Sequence, residues 1–81
     1  MRVKVRLGAG LARLAAAPQI TLDLPDGATV AELRRRLGDQ QPELAPALAS
    51  ALPVRGGSHV TAADALADGD EVALLLPVSG G

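Results

Sequence analysis

The first residues of the chain alternate between apolar and basic side chains. Apolar residues occupy every second position from Val3 to Leu7, and Arg2, Lys4 and Arg6 fill the positions between them. Successive side chains of a strand point to opposite faces of its sheet. Residues 2–7 are therefore predicted to form a strand with one buried face. The same two-residue period returns over residues 20–24, which predicts a second strand able to pair with the first as a hairpin.

The clearest helical pattern follows the turn residues 25–27. Thr29 is a favourable N-cap and Glu32 stands three positions later, which is the capping-box arrangement. Three apolar residues then recur at helical spacing on one face: Val30, Leu33 and Leu37. Gly38 predicts a left-handed stop at the end of this helix.

The remaining elements are shorter. Residues 8–10 are predicted to interrupt the first strand, and residues 11–17 to form a short helix or turn. Pro42 and Pro46 prevent a long continuation of the main helix, so a short helical turn is expected over residues 46–50. A strand over residues 52–55, a Gly56-Gly57 turn and a return strand over residues 58–61 follow. A single helical turn is expected over residues 64–66, and a final strand over residues 71–76.

This order of elements predicts the fold class. One good helix among several short strands can bury its apolar face only against one side of a mixed sheet. The final strand, paired beside the first after a long connection, must run parallel to it. We therefore predict an α+β, ubiquitin-like β-grasp domain with about five strands and one main helix. The domain is expected to span residues 1–76, with a flexible tail over residues 77–81.

Composition narrows the possible functions. The chain has 81 residues, of which 48% are hydrophobic and none is aromatic or cysteine. Disulfides and thiolate metal sites are excluded, and the core must be aliphatic. A net charge of −1 argues against a nucleic-acid-binding domain. The N-terminal alternation is not a secretory signal, and no apolar run is long enough to span a membrane. We expect a cytoplasmic protein.

The last residues carry the most informative chemistry: Pro77-Val78-Ser79-Gly80-Gly81. A carboxylate is a poor acyl donor, but transfer to AMP supplies a leaving group that a sulfur nucleophile can replace. A C-terminus treated in this way must pass through a narrow channel into another protein. Glycine suits such a channel because it has no Cβ and a permissive backbone. A frayed terminus or an expression remnant is the alternative.

These residues resemble a known family. The segment Asp68-Gly69-Asp70-Glu71-Val72-Ala73, followed by residues 77–81, is similar to the end of the MoaD/ThiS family of ubiquitin-like sulfur carriers. The similarity is greatest to the MoaD branch, the small subunits of molybdopterin synthase. It extends over the whole chain in element order and is specific only towards the C-terminus.

The resemblance implies a mechanism and a set of partners. Gly81 is expected to be adenylated by a ubiquitin-activating-type, MoeB-like enzyme that uses ATP, and then thiocarboxylated with sulfur from a donor. A MoaE-like large subunit would receive the charged tail, and the sulfur would pass to a pterin precursor. Gly80 would allow the tail to extend into the partner's active site. Pro77, Val78 and Ser79 would contact the partner. The chain is then a non-catalytic subunit with no permanently bound cofactor.

Several other groups of residues allow both a functional and a structural interpretation. Leu75 faces away from Val72 in the last strand, so it is either part of a docking patch or a singly exposed leucine. The run of residues 34–36, together with the basic residues of the first strand, is a solvated face or a basic surface for an acidic partner. The acidic residues between 64 and 71 fit turns better than a metal site. His59 has no cysteine to work with, which argues against a catalytic dyad.

Three alternatives remain open at this point. Sulfur could be donated to thiazole, cysteine or tRNA, as ThiS-like relatives do. Gly81 could instead form an isopeptide bond with a lysine of another protein. The chain could also be a ubiquitin-like interaction module whose tail is inert.

Overall fold

The computed structural model describes residues 1–77. Within this range, five strands and three α-helices follow one another. The strands are β1 (Arg2–Leu7), β2 (Gln19–Asp23), β3 (Leu52–Arg55), β4 (Ser58–His59) and β5 (Glu71–Leu75). The α-helices are α1 (Ala9–Ala15), α2 (Val30–Gln40) and α3 (Ala45–Leu48), and a 3₁₀ turn (Pro42–Leu44) precedes α3.

All five strands belong to one mixed sheet with the order β2-β1-β5-β3-β4. Strand β1 pairs antiparallel with β2 and parallel with β5, while β3 pairs antiparallel with β5 and β4. The predicted parallel pairing of the first and last strands is confirmed, with Val5 opposite Val72. The β-grasp fold predicted from the order of elements is therefore the fold observed.

The core lies between one face of the sheet and the helices. Strand β1 alternates between exposed and buried residues over its whole length, as predicted. Helix α2 buries its apolar face against the sheet, and the 3₁₀ turn and α1 each add one fully buried leucine. The fully buried side chains are Val3, Val5, Leu11, Leu22, Val30, Leu33, Leu37, Leu44, Val72 and Leu74. Burying a side chain of this type contributes roughly 1.5–3 kcal/mol, so an aliphatic core suffices for this domain.

The predicted stop at Gly38 is wrong, because α2 continues to Gln40. The residue before a proline is disfavoured in the helical region, and Gln41, which precedes Pro42, leaves that region at φ −129° and ψ 76°. A Cβ placed on Gly38 would lie 3.6 Å from Leu48 Cδ1. This is an ordinary contact distance, so the packing of α3 against α2 does not require glycine at this position.

The predicted helical turn over residues 64–66 is also wrong. Ala65 forms an isolated antiparallel bridge with Thr29, and the Leu66 N–H donates to the carbonyl of Ala28 at 2.8 Å. The first N–H groups of α2 have no partner within the helix. Val30 and Ala31 donate theirs to carbonyls of residues 64 and 62, each at 3.0 Å. The segment is extended because it satisfies the start of α2.

Several boundaries differ from prediction by one or two residues. Helix α1 begins at Ala9, two residues earlier than expected, since Gly8 serves as its N-cap in extended conformation. Strand β4 ends at His59 and β5 at Leu75, earlier than the expected residues 61 and 76. Among residues 1–77, no helix is long and apolar enough to cross a membrane.

Candidate functional site

The chain leaves the domain from the middle of the sheet. Strand β5 lies between β1 and β3 and ends at Leu75. Leu76 is half-buried, and Pro77 is exposed. Proline has no N–H group to extend a strand ladder, so Pro77 marks the end of regular pairing. The C-terminal segment therefore starts between β1 and β3, the two strands that flank β5.

The face of the sheet opposite the helices carries an apolar patch next to this exit point. Leu52 pairs with Leu75 across the β3–β5 ladder, and Val54 pairs with Ala73. Leu52 and Leu75 are 41% and 43% exposed, while Val54 and Ala73 are half-buried. We call these four residues the open-face patch. Exposed apolar clusters at the edge of a functional segment are typical of protein interaction sites.

A groove continues from the open-face patch along the sheet. It is bordered by Arg6 and Glu71 at one side and by the Gly56-Gly57 turn between β3 and β4 at the other. Gly8 forms part of its wall, and a Cβ placed on Gly8 would lie 3.2 Å from Leu75 Cδ2. The glycine allows the start of α1 to approach the end of β5 closely.

Charged side chains border the groove on its β1 side. Arg6 Nη1 lies 3.4 Å from Glu71 Oε1, and Arg2 Nε, towards the other end of β1, lies 3.4 Å from Asp23 Oδ1. All four side chains are exposed, so each pair contributes at most about 1 kcal/mol. The Arg6–Glu71 pair gives the groove a polar border on this side, as is usual for the rim of a reversible interface.

The arginines of α2 do not join the basic residues of β1 in one surface. Helix α2 packs on the buried face of the sheet, whereas Arg2, Lys4 and Arg6 project from the opposite face. A single combined basic surface is therefore not formed. Within α2, Arg35 is paired with an acidic residue of the same helix. A hydrogen bond from Arg35 Nη2 to Glu32 Oε2, 2.6 Å long, raises the pKa of Arg35 above its ordinary value, and the attraction of the Glu32 charge adds to this.

The acidic residues between 64 and 71 hold loops in place. Asp64 Oδ2 accepts a hydrogen bond from the Thr61 N–H at 2.7 Å, and Asp68 Oδ1 accepts one from the Arg2 N–H at 2.7 Å. Within residues 1–77, no group of three His, Cys, Asp or Glu side chains could hold a metal ion. His59 is exposed on the two-residue strand β4.

The predicted site residues are only partly within the described region. Leu75 is exposed beside the exit point, and Pro77 is exposed immediately after it. The predictions for Val78, Ser79, Gly80 and Gly81 lie outside the described residues, as does most of the predicted tail. The functional roles assigned to all six residues remain predictions. Sequence reasoning missed Leu52, Val54 and Gly8, because only the β3–β5 register and the β1–α1 junction bring them to Leu75. It also overlooked Ala73, which the two-residue alternation of β5 places on the same face as Leu75.

Comparison with known protein families shows to which family this chain belongs. The sequence profile of the ThiS family matches residues 5–81, which includes both terminal glycines. The chain belongs to the ThiS family. The resemblance to MoaD/ThiS proteins inferred from the C-terminal residues is thereby confirmed. No curated protein sequence matches the chain significantly.

Solved structures agree with the ThiS assignment. The crystal structure of SAMP1, the small archaeal modifier protein 1 of Haloferax volcanii, is 29% identical over 100% of both chains, with a TM-score of 0.89. A putative molybdopterin converting factor, subunit 1, from Pyrococcus furiosus is 26% identical, with a TM-score of 0.86, over 96% of this chain and 99% of that one.

A third structure shows the fold alone. In the complex of subunits 1 and 2 of molybdopterin-converting factor from Helicobacter pylori 26695, one chain is 24% identical over 100% of both chains, with a TM-score of 0.73. The protein therefore has the ubiquitin-like fold of small sulfur carriers and protein modifiers.

Proposed function

We propose that this ThiS-family chain is a sulfur carrier that supplies molybdopterin biosynthesis as the small subunit of molybdopterin synthase. The observation that carries the proposal is the match of the family profile through Gly80 and Gly81, on a domain whose last strand releases the chain beside the open-face patch. The patch provides a docking face, and the tail provides the reacting group.

The chemistry takes place at the carboxylate of Gly81. One carboxylate oxygen attacks the α-phosphorus of ATP, and pyrophosphate leaves, which gives an acyl-adenylate. A hydrosulfide equivalent from a sulfur donor then attacks the acyl carbon, AMP leaves, and a thiocarboxylate remains. Gly80 keeps the channel free of a side chain, and Pro77, Val78 and Ser79 contact its mouth.

The open-face patch has an energetic role in this mechanism. Fixing the backbone of a residue in a partner's channel costs about 1–2 kcal/mol for each residue that is free beforehand. Burying Leu75 and Leu52 in a partner offsets part of this cost, at roughly 1.5–3 kcal/mol for a leucine that is fully exposed beforehand. Docking through the patch also holds the tail near the partner's channel, which raises its effective concentration there.

Molybdopterin is the proposed destination because of the relatives' chemistry. The Pyrococcus furiosus relative is a putative molybdopterin converting factor, subunit 1, and the C-terminal residues resemble the MoaD branch. The proposed partners are accordingly a MoaE-like large subunit and a MoeB-like adenylating enzyme that uses ATP. The carrier acts as a cosubstrate in the cytoplasm and holds no cofactor of its own.

A genetic experiment tests the destination. A strain without this gene should lose molybdoenzyme activity and regain it with the wild-type gene. A variant extended by one alanine after Gly81 should fold normally and fail to restore activity, because the reacting carboxylate is displaced. Restoration by the extended variant would overturn the carrier mechanism. If the strain instead required thiazole and kept its molybdoenzyme activity, the carrier would donate its sulfur to another acceptor.

A second function, protein modification, is favoured by the similarity to SAMP1 over the full length of both chains. In that case the activated Gly81 would form an isopeptide bond with a lysine amine and release AMP. Lys4 is the only lysine of this chain, and it is exposed on β1. Chains of the protein linked through lysine could therefore form only at Lys4. Diglycine remnants on partner lysines after proteolysis, and loss of self-linked chains in Lys4→Arg, would support this function.

A further inference from the structure

The last two leucines before the tail lie on opposite sides of the β1–α1 junction. Leu75 projects onto the open face, where it packs beside Gly8. Leu76 is half-buried and packs against the core, next to Gly10 in α1. The Gly8 N–H donates to the Leu74 carbonyl at 2.9 Å, which fixes the end of β5 to this junction.

The contact between Gly10 and Leu76 leaves no room for a larger residue. A Cβ built on Gly10 would lie 2.8 Å from Leu76 Cδ1. Carbon atoms attract each other best at about 3.5–4.0 Å, so any side chain at position 10 must displace Leu76. The displaced atom is the end of a flexible side chain, and the shift is therefore possible without unfolding the domain.

The backbone gives no other reason for glycine at this position. Gly10 is the second residue of α1 and does not adopt a left-handed conformation. Glycine in a helix is about 1 kcal/mol less favourable than alanine. The chain thus has a helix-weakening residue at the one point of α1 where Leu76 needs space.

We infer that Gly10 is a positioning residue that acts through Leu76. By seating Leu76, it fixes the place and direction in which residue 77 leaves the domain relative to the open-face patch. The inference rests on the proposed function, because direction matters only if the tail must enter a partner's channel. Gly10 itself touches neither the partner nor the reacting carboxylate.

Gly10→Ala and Gly38→Ala form a matched pair for testing this inference. Both replace a glycine in a helix, but a Cβ on Gly38 meets Leu48 and Ala45 at ordinary distances of 3.6 and 3.9 Å and does not contact Leu76. Gly38→Ala should melt at or above the wild-type temperature, since alanine favours the helix. Gly10→Ala should stay folded, because the atom it displaces is the end of a flexible side chain. Only Gly10→Ala should impair activation of the tail.

The measurement is steady-state ATP–pyrophosphate exchange by the host's adenylating enzyme, with the full-length carrier as the varied substrate. For Gly10→Ala we expect KM to rise about tenfold, because only about a tenth of the carriers would then present the tail in the direction of the channel, and the apparent affinity falls with that fraction. The kcat should stay unchanged, since a tail that does reach the site reacts normally. Gly38→Ala should keep the wild-type KM and kcat.

The dependence on Leu76 is tested in a Leu76→Ala background. There the Gly10→Ala change should leave KM unaltered, because its only close contact has been removed. A wild-type KM for Gly10→Ala, or an equal rise in KM with and without Leu76, would overturn the positioning role while the carrier function stands. Failure of the wild-type chain itself to support exchange would overturn both.

Discussion

Leu52 and Leu75 are direct partners across the β3–β5 ladder, and both remain about two-fifths exposed, at 41% and 43%. Leu75 is also the last residue of β5, so the apolar surface and the start of the tail share one strand end. On the proposed function, a partner that covers the patch would also hold the tail near its own active site. This one ladder pair would then link docking to delivery.

Replacing Leu75 by serine should weaken docking without unfolding the domain. The side chain is 43% exposed, so covering the remainder contributes about 0.6–1.3 kcal/mol, and its loss should weaken the Kd roughly three- to tenfold. The domain should stay folded, because Leu75 is not among the buried core residues. Isothermal titration against the large subunit or the adenylating enzyme measures the Kd.

Leu14→Ser is the matched control for the docking prediction. Leu14 is 49% exposed on α1 and lies outside the open-face patch. The Leu14→Ser variant should bind the same partners with the wild-type Kd. Equal losses of affinity in Leu14→Ser and Leu75→Ser would show that the patch has no special part in docking.

Asp70 is predicted to be a stabilising residue of the loop before β5. Its Oδ2 accepts hydrogen bonds from the Ala67 N–H at 2.8 Å and from Arg55 Nη1 at 3.1 Å. Asp70→Ala leaves both donors without this acceptor, and we expect the free energy of unfolding to fall by about 2 kcal/mol. Urea denaturation followed by circular dichroism measures the change.

Asp39→Ala provides the comparison for Asp70→Ala. Asp39 is exposed in the last turn of α2, where a negative charge opposes the helix dipole. Its removal should change stability by less than about 0.5 kcal/mol. If Asp70→Ala were as mild as Asp39→Ala, the loop would be held by backbone contacts alone.

Ala16 is predicted to be a site where glycine stabilises the protein. It caps α1 in the left-handed conformation at φ 57° and ψ 29°, which costs a residue with a Cβ about 1–2 kcal/mol. Ala16→Gly should therefore raise the free energy of unfolding by up to about 1 kcal/mol. Ala12→Gly, within the same helix, should lower it by about 1 kcal/mol or more. Destabilisation by Ala16→Gly in thermal melting would contradict the assigned conformation.

Local periodicity was enough to predict most of the fold. Alternation located β1 and β2, and helical spacing with Thr29 as N-cap located α2; Thr29 Oγ1 does accept the Glu32 N–H, at 3.4 Å. The parallel pairing of β1 and β5 followed from the order of elements. The segment 64–66 was predicted wrongly because its pairing with the start of α2 is a non-local contact. Gly38 has the chemistry of a helix stop, but α2 continues to Gln40 and ends only before Pro42.

The candidate site was less accessible to sequence reasoning. Alternation predicted that Leu75 faces away from Val72, and its exposure agrees. Leu52 stands far from Leu75 in the sequence, and only the β3–β5 register joins them. Gly10 carries no sign of its role, since its importance depends on the position of Leu76 in space.

Intact-mass spectrometry of the full-length chain tests the carrier function most directly. The protein is incubated with ATP, the host's adenylating enzyme and a sulfur donor, and a sample without ATP serves as the control. We predict a mass increase equal to replacement of one oxygen by sulfur, located on Gly81 by fragmentation and absent without ATP. A chain that keeps its unmodified carboxylate, while a known carrier is charged under the same conditions, would contradict the proposed function.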